Sequence, residues 1–244
     1  MEYEEYIEAV EREAAALVTA FRAGPDDAHV PTCPEWTIAD LADHVGAFSG
    51  FWAHVLCDVT GRKKTPYSDM PQGPAIADWY EELAAYLVAE LRATEPDAPA
   101  WTWMPDDQSA NFVARRTANE LAIHRFDAQT ARGTPEGIEA KLSVDGIEEI
   151  FVMIAAWQIR DSRTGCGAGE TLHLHALDRR GEWLLTLNPA GLGVERHHAK
   201  AALAVRGKVS DLELLLYHRP PLGEVEQLGD RSCLDAWYRA FTFG

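Results

Sequence analysis

The stretch TIADLADHVGAFSGFWAHVLCDVTG, residues 37–61, carries the signals of one long amphipathic helix. Thr37 is a typical N-cap residue, and Asp40 at the third helical position completes a capping box. Apolar residues recur at three- and four-residue spacing, which is the period of a helix with one buried face. They are Ile38, Leu41, Val45, Phe48, Trp52 and Val55. Gly61 is expected to end the helix.

Three further segments around this helix have the same period. They are residues 3–21, 76–91 and 110–131. The first is expected to end before Gly24-Pro25, the second before Pro96 and the third before Gly133. Four long helices joined by loops predict a four-helix bundle, a fold in which sites are built from side chains on facing helices.

The pattern changes in the last third of the chain. A helix is expected from Ser143 to about Arg160, and then residues 171–177 alternate between apolar and polar side chains. Residues 183–187 follow after the turn at 179–181, so the two runs predict a hairpin. Further elements are expected at 201–205 (strand), 210–218 (helix) and 232–241 (helix). The predicted fold class is α+β, with a helical bundle over residues 1–160 and a small α+β domain over residues 161–244.

Composition narrows the classes of partner. The 244 residues include 22 Lys and Arg against 39 Asp and Glu, a formal net charge of -17. An acidic surface repels phosphate backbones and anionic lipids, so we expect neither nucleic acid nor membrane as a partner. The acidic N-terminus and four scattered cysteines favour a cytoplasmic protein with reduced thiols. We expect a small-molecule substrate and a monomer or small homo-oligomer.

Two residues on the fourth helix suggest a metal site. Glu120 and His124 are four residues apart, about one helical turn, so both side chains leave the same face. His44 lies on the flank of the apolar stripe of the second helix, and it would meet them if the two helices face each other. Two imidazoles and one carboxylate suit zinc and leave a fourth position open, as in catalytic zinc sites. The alternatives are a surface ion pair for Glu120 and His124 and a core position for His44.

Several motifs resemble one known family over nearly the whole chain. The run CPEWTIADLADHV at 33–45 is similar to the entry of the second helix in the mycothiol-dependent maleylpyruvate isomerase family, a branch of the DinB-like metalloenzymes. The pattern Arg116-x3-Glu120-x3-His124-Arg125-x-Asp127 is similar to its second signature. The runs VRGKVSDL at 205–212 and LYHR at 216–219 resemble its small second domain.

The resemblance implies a DinB-like bundle, Zn2+ or another divalent metal held by His44, Glu120 and His124, and mycothiol as the thiol cosubstrate. In such an isomerase a thiolate adds to an activated double bond, the bond rotates, and elimination returns the thiol. The same first step without elimination is an S-transfer. The protein's own thiols are poorer candidates, since Cys33 lies outside the helix start and Cys57 is over three turns beyond His44.

Two further residues are candidates for catalysis. Asp127 is three residues past His124, so it could orient the imidazole of a metal ligand or pair with Arg125 or Arg116. Arg219 matches an arginine of the family's second domain, and the resemblance implies that it holds a substrate carboxylate, a task that suits a guanidinium fork. The alternative is an arginine that caps a helix end, and Arg206 is a second candidate for binding the substrate. His173 and His175 share a strand face, where partly buried strand histidines are the simpler interpretation.

Two other functions remain open from the sequence. A metal-bound water would make the same site that of a hydrolase. The small C-terminal domain also resembles sterol-carrier modules, so a non-enzymatic protein that binds an apolar ligand is the third hypothesis.

Overall fold

The computed structural model describes residues 1–63, 69–160 and 165–242. These residues contain seven helices and five strands. The elements are α1 (Tyr3–Arg22), α2 (Ile38–Thr60), α3 (Ala75–Arg92), α4 (Ala110–Ala131), α5 (Ala140–Arg160), β1 (Glu170–Ala176), β2 (Glu182–Asn188), β3 (Gly191–Glu195), β4 (Leu203–Gly207), α6 (Val209–Leu216), β5 (Glu226–Gly229) and α7 (Ser232–Ala240). None of the helices in these ranges is long and apolar enough to span a bilayer.

The first compact unit, Met1–Glu136, is a four-helix bundle. Helix α1 packs against α3 and α4, and α2 packs against the same two helices, so the four close a ring around one core. The apolar stripes predicted from the sequence supply that core, where Ile7, Leu41, Leu87 and Leu121 are fully buried. The predicted bundle is confirmed.

The start of α2 has the predicted capping box. Thr37 Oγ1 accepts a hydrogen bond from the backbone N–H of Asp40, and Asp40 Oδ2 accepts one from the N–H of Thr37. The helix ends at Gly61, which has a φ of 68°, a conformation that glycine adopts without a steric penalty. The two signals together fix where α2 begins and ends.

Helix α4 is buried on most of its faces and brings polar side chains into the bundle. Arg125 donates from Nε to Glu13 Oε2 on α1 at 2.7 Å, and both side chains are buried. Nη1 of Arg125 also donates to the backbone carbonyl of Glu136. Buried ionic groups must be paired in this way, because removing either partner leaves an uncompensated charge.

The second compact unit, Gly137–Gly244, is built on a five-stranded sheet with the order β3-β2-β1-β4-β5. Strands β1 and β2 form the predicted antiparallel hairpin, and β4 pairs with β1 in parallel. Helices α6 and α7 pack against β1. A helical region followed by a sheet unit confirms the α+β class.

Two strands and one boundary differ from the sequence predictions. The edge strands β3 and β5 were not predicted, because β3 carries Gly191 and Gly193 and β5 has only four residues. The compact units divide at 136/137 and not after residue 160, because α5 packs against α6 and β3 and so belongs with the sheet.

Candidate metal centre

The packing of α2 against α4 brings His44, Glu120 and His124 together. His44 Nε2 lies 3.1 Å from Glu120 Oε1, and His124 Nε2 lies 3.5 Å from the same oxygen. The two imidazole rings are 4.7 Å apart between centroids. One ligand atom from each residue lies within 4.8 Å of the other two. Helices α2 and α4 therefore face each other, which is the arrangement that the predicted metal site requires.

The spacing of these atoms suits a small tetrahedral cation. Two ligands on a zinc ion with bonds of about 2.0–2.1 Å stand about 3.4 Å apart. The two distances from Glu120 Oε1, 3.1 and 3.5 Å, bracket that value. Two imidazole nitrogens and one carboxylate oxygen are also the donor types of catalytic zinc sites. The residues therefore fit a divalent metal in both spacing and chemistry.

The carboxylate of Glu120 is shared between the imidazoles and a buried arginine. Arg116, one turn earlier on α4, contacts Oε2 of Glu120 through Nη2, while Oε1 faces His44 and His124. The side chain of Arg116 is buried, so its charge compensates that of the carboxylate locally. The ion pair also fixes which oxygen of Glu120 faces the histidines.

Asp127 contacts the ring nitrogen of His124 that does not face Glu120. The Nδ1 atom of His124 lies 3.0 Å from Asp127 Oδ2, and Asp127 is fully buried. A carboxylate on one ring nitrogen fixes the tautomer and leaves the other nitrogen, Nε2, as the acceptor that faces Glu120. From the sequence, Asp127 could orient His124 or pair with an arginine. The hydrogen bond described above is with His124.

The segment before α2 contributes two residues whose roles the sequence did not predict. Its turns are closed by backbone hydrogen bonds from Cys33 to Val30 and from Trp36 to Cys33. Cys33 Sγ lies 3.6 Å from Asp127 Oδ2, which places the thiol behind the carboxylate. The ring of Trp36 lies 5.0 Å from that of His44 and 5.9 Å from that of His124. The run 33–45 contains both residues, but only the folded turns bring Cys33 to Asp127 and Trp36 to the two histidines.

The environment of His44 favours a neutral imidazole. Burial, followed by the nearby His124 and Arg116, lowers its pKa to about 4 against weaker opposing effects of Asp43 and Asp127. A neutral ring is the form that offers a lone pair to a metal. At neutral pH His44 therefore has no proton to lose before it binds a cation.

The two candidate arginines lie in the second unit. Arg219 is nearly fully buried, and its Nη1 donates to the backbone carbonyl of Tyr217 at 2.8 Å. The backbone N–H of Arg219 donates to the carbonyl of Leu214, and that of His218 donates to the carbonyl of Leu215. His218 has a φ of 62°, so these bonds form a Schellman motif at the end of α6. Arg206 is partly exposed and pairs with Glu226. A role for either in binding substrate remains a prediction.

Comparison with known proteins gives one family and one fold. Residues 7–129 match the family described as the mycothiol maleylpyruvate isomerase N-terminal domain, and this range includes His44, Glu120, His124 and Asp127. Comparison with curated proteins gives no match. Among solved structures, a mycothiol-dependent maleylpyruvate isomerase is similar at 18% identity and a TM-score of 0.51, and a histidine-to-alanine mutant at 18% and 0.53. Each alignment covers 93% of both chains, and at this identity the likeness concerns the fold.

The lowered pKa of His44 gives a direct prediction for the metal-free protein. In an NMR titration the His44 ring should titrate near pH 4, whereas an unperturbed histidine titrates near 6.5. Because the folded-state pKa is below the unfolded one, the stability that neutral His44 contributes is present above about pH 6.5 and is lost as the pH falls toward 4. A His44 titration at 6.5 or above would contradict the described burial of the ring.

Proposed function

Because the chain belongs to the mycothiol maleylpyruvate isomerase family, we propose that it is an enzyme that uses mycothiol to isomerise a small electrophilic alkene. We further propose that a divalent metal, zinc in the first place, is held by His44, Glu120 and His124. The observation that carries the proposal is the meeting of these three donors within 4.8 Å, inside the region that matches the family.

The chain's own residues prepare this site for a cation and a thiol. Asp127 orients His124, Arg116 orients Glu120, and burial keeps His44 neutral. A divalent metal bound there would supply Lewis acidity, which lowers the pKa of a coordinated thiol. With one carboxylate and two neutral imidazoles around a divalent ion, the site would keep a net charge of about +1, which favours an anionic partner.

An external thiol fits the site better than a cysteine of the chain. Cys33 is buried, and its sulfur faces Asp127 on the Nδ1 side of His124, away from the Nε2 that faces Glu120. Cys57 is also buried, and its sulfur lies 2.6 Å from the hydroxyl of Tyr86. Both thiols are thus engaged inside the bundle. We therefore propose mycothiol, the thiol named in the family's description, as cosubstrate.

The reaction we propose leaves the thiol unconsumed. A sulfur–carbon bond forms at the activated double bond, the former double bond rotates as a single bond, and elimination breaks the sulfur–carbon bond and restores the alkene. If elimination does not follow, the product is a stable S-adduct, and the activity is an S-transfer. The two outcomes differ in the mass of the product.

Turnover with and without thiol tests the proposed function. The zinc-loaded protein should convert maleylpyruvate to a product of unchanged mass only when mycothiol is present, because the thiol makes the bond that permits rotation. Chromatography with mass detection measures this conversion, and an adduct mass would assign S-transfer. Equal turnover without thiol would contradict the proposal, and products that have gained the elements of water would favour a hydrolase that uses metal-bound water.

Replacing one ligand tests the metal. His124→Ala should bind about one zinc ion fewer per chain than the unchanged protein while the helical circular dichroism persists, because the bundle core does not depend on this side chain. Zinc is measured by mass spectrometry after dialysis against a fixed free concentration. His54→Ala, a change of the same type on α2 outside the group, is the control and should keep its metal. Equal zinc at this site in both variants would refute the ligand assignment.

Asp127 is proposed as a positioning residue, because its carboxylate contacts Nδ1 of His124 while Nε2 of the same ring faces Glu120. Asp127→Asn keeps the shape but removes the charge that fixes the imidazole, and partners of this kind are worth about 10–100-fold in metal affinity. Zinc competition with a chelator measures the loss. A merely structural Asp127 would lower thermal stability and leave the zinc affinity of the folded protein unchanged.

Arg219 is proposed to bind a substrate carboxylate, on the strength of the family resemblance of the run 216–219. Arg219→Ala should then cut turnover of a carboxylated substrate by at least about tenfold, and Arg219→Lys should restore little, since an ammonium cannot replace a bidentate fork. Because Arg219 also bonds the carbonyl of Tyr217, thermal unfolding of each variant is measured alongside. Full activity in a folded Ala variant would contradict a role of Arg219 in substrate binding and would leave it only the structural role at the end of α6.

A further inference from the structure

A second group of histidines lies on one face of the sheet in the second unit. His173 and His175 are two residues apart on β1, so they share a face. Glu182 on β2 is paired with His175 in the antiparallel register and therefore lies on that same face. His198 follows the end of β3, the strand that pairs with β2. The side chains come from three neighbouring parts of the sheet.

The group is compact around the carboxylate of Glu182. His198 Nδ1 lies 3.2 Å from Glu182 Oε1, and His175 Nδ1 contacts the same oxygen. The ring of His173 lies 5.0 Å from that of His198, edge to face. One ligand atom each of His173, Glu182 and His198 lies within 4.8 Å of the other two. The 3.2 Å contact is close to the spacing of about 3.4 Å between two ligands of a tetrahedral zinc ion.

His173 is the residue that points to a ligand. It is only 3% exposed, and its Nε2 atom has no hydrogen-bond partner in the described part of the chain. A buried polar nitrogen without a partner costs free energy, and a metal–nitrogen bond would recover it.

Glu182 supplies the negative charge that a cation requires. Its Oε1 atom is contacted by Nδ1 of His198 and by Nδ1 of His175. Two arginines of this unit are paired with other carboxylates, Arg206 with Glu226 and Arg196 with Glu148. Glu182 instead contacts the histidines.

We propose that His173, Glu182 and His198 form a second divalent-metal site, with zinc as the cation best matched to two imidazoles and one carboxylate. His175, which contacts Glu182, orients the carboxylate. The site lies outside the region that matches the family, 7–129, and does not depend on the proposed isomerase activity. Each ligand comes from a different segment of the sheet unit.

The position of the ligands indicates a structural role. A metal ion there would connect the central strand β1, its neighbour β2 and the chain leaving the edge strand β3. That edge strand has two glycines and no fully buried residue, so its own packing holds it weakly. The side chain of His198 is 77% exposed and gives the ion a path from solvent. A cavity of about 580 Å³ beside Glu182 and His175 also opens on this side.

The test uses the full chain with the first group removed. In the double variant His44→Ala/His124→Ala, zinc that remains after dialysis at a fixed free concentration is assigned to the second unit. We expect one zinc ion per chain in this background and a rise in the thermal midpoint of unfolding when zinc is added. Because the first group is absent, the result does not depend on whether that group binds metal.

His198→Ala in the same background should remove this ion and the thermal shift. The exposed His198 is chosen because its replacement leaves the sheet core intact, and Glu182→Gln gives an independent second loss. His197→Ala is the matched control, since the neighbouring histidine is exposed and bonds Glu195 instead. A background variant without zinc would overturn the proposal, and so would equal losses in His198→Ala and His197→Ala, which would indicate adventitious binding to surface histidines.

Discussion

The packing of α2 against α4 is the constraint on which the first unit depends. It places a half-exposed histidine opposite a carboxylate and a buried histidine, and it does so with charges inside the bundle. Glu120 can lie there because Arg116 neutralises it on one side while the imidazoles take the other. Glu13 and Arg125 form a second buried pair between α1 and α4. Together the two pairs explain how α4 carries buried charges and still belongs to the core.

The sequence predicted local features well and contacts between distant segments less well. The cap at Thr37 and Asp40 and the stop at Gly61 are properties of adjacent residues, and they were predicted correctly. The same holds for the bounds of α4 and for the hairpin. The meeting of His44 with Glu120 required a further assumption, that two particular helices face each other, which periodicity alone cannot supply.

What the sequence did not reveal has identifiable physical causes. Cys33 and Trp36 reach Asp127 and the histidines through turns closed by backbone hydrogen bonds, which leave no side-chain pattern. Strands β3 and β5 are too short or too rich in glycine to show alternation. Helix α5 has the period of a bundle helix, yet it packs on α6 and β3. An amphipathic stripe shows that one face of a helix is buried, but it does not identify the element against which that face packs.

The distance along the chain between the donors on α2 and α4 links the fold to ligand affinity. His44 and Glu120 are 76 residues apart, whereas Glu120 and His124 are one helical turn apart. A helix in isolation can present the second pair as a bidentate half-site, but the third donor arrives only when the chain between them has closed. The chelate effect in the proposed metal site would thus be a property of the assembled bundle. Anything that loosens α2 from α4 would weaken binding of the proposed cation without changing a donor atom, so cation affinity would report on helix packing.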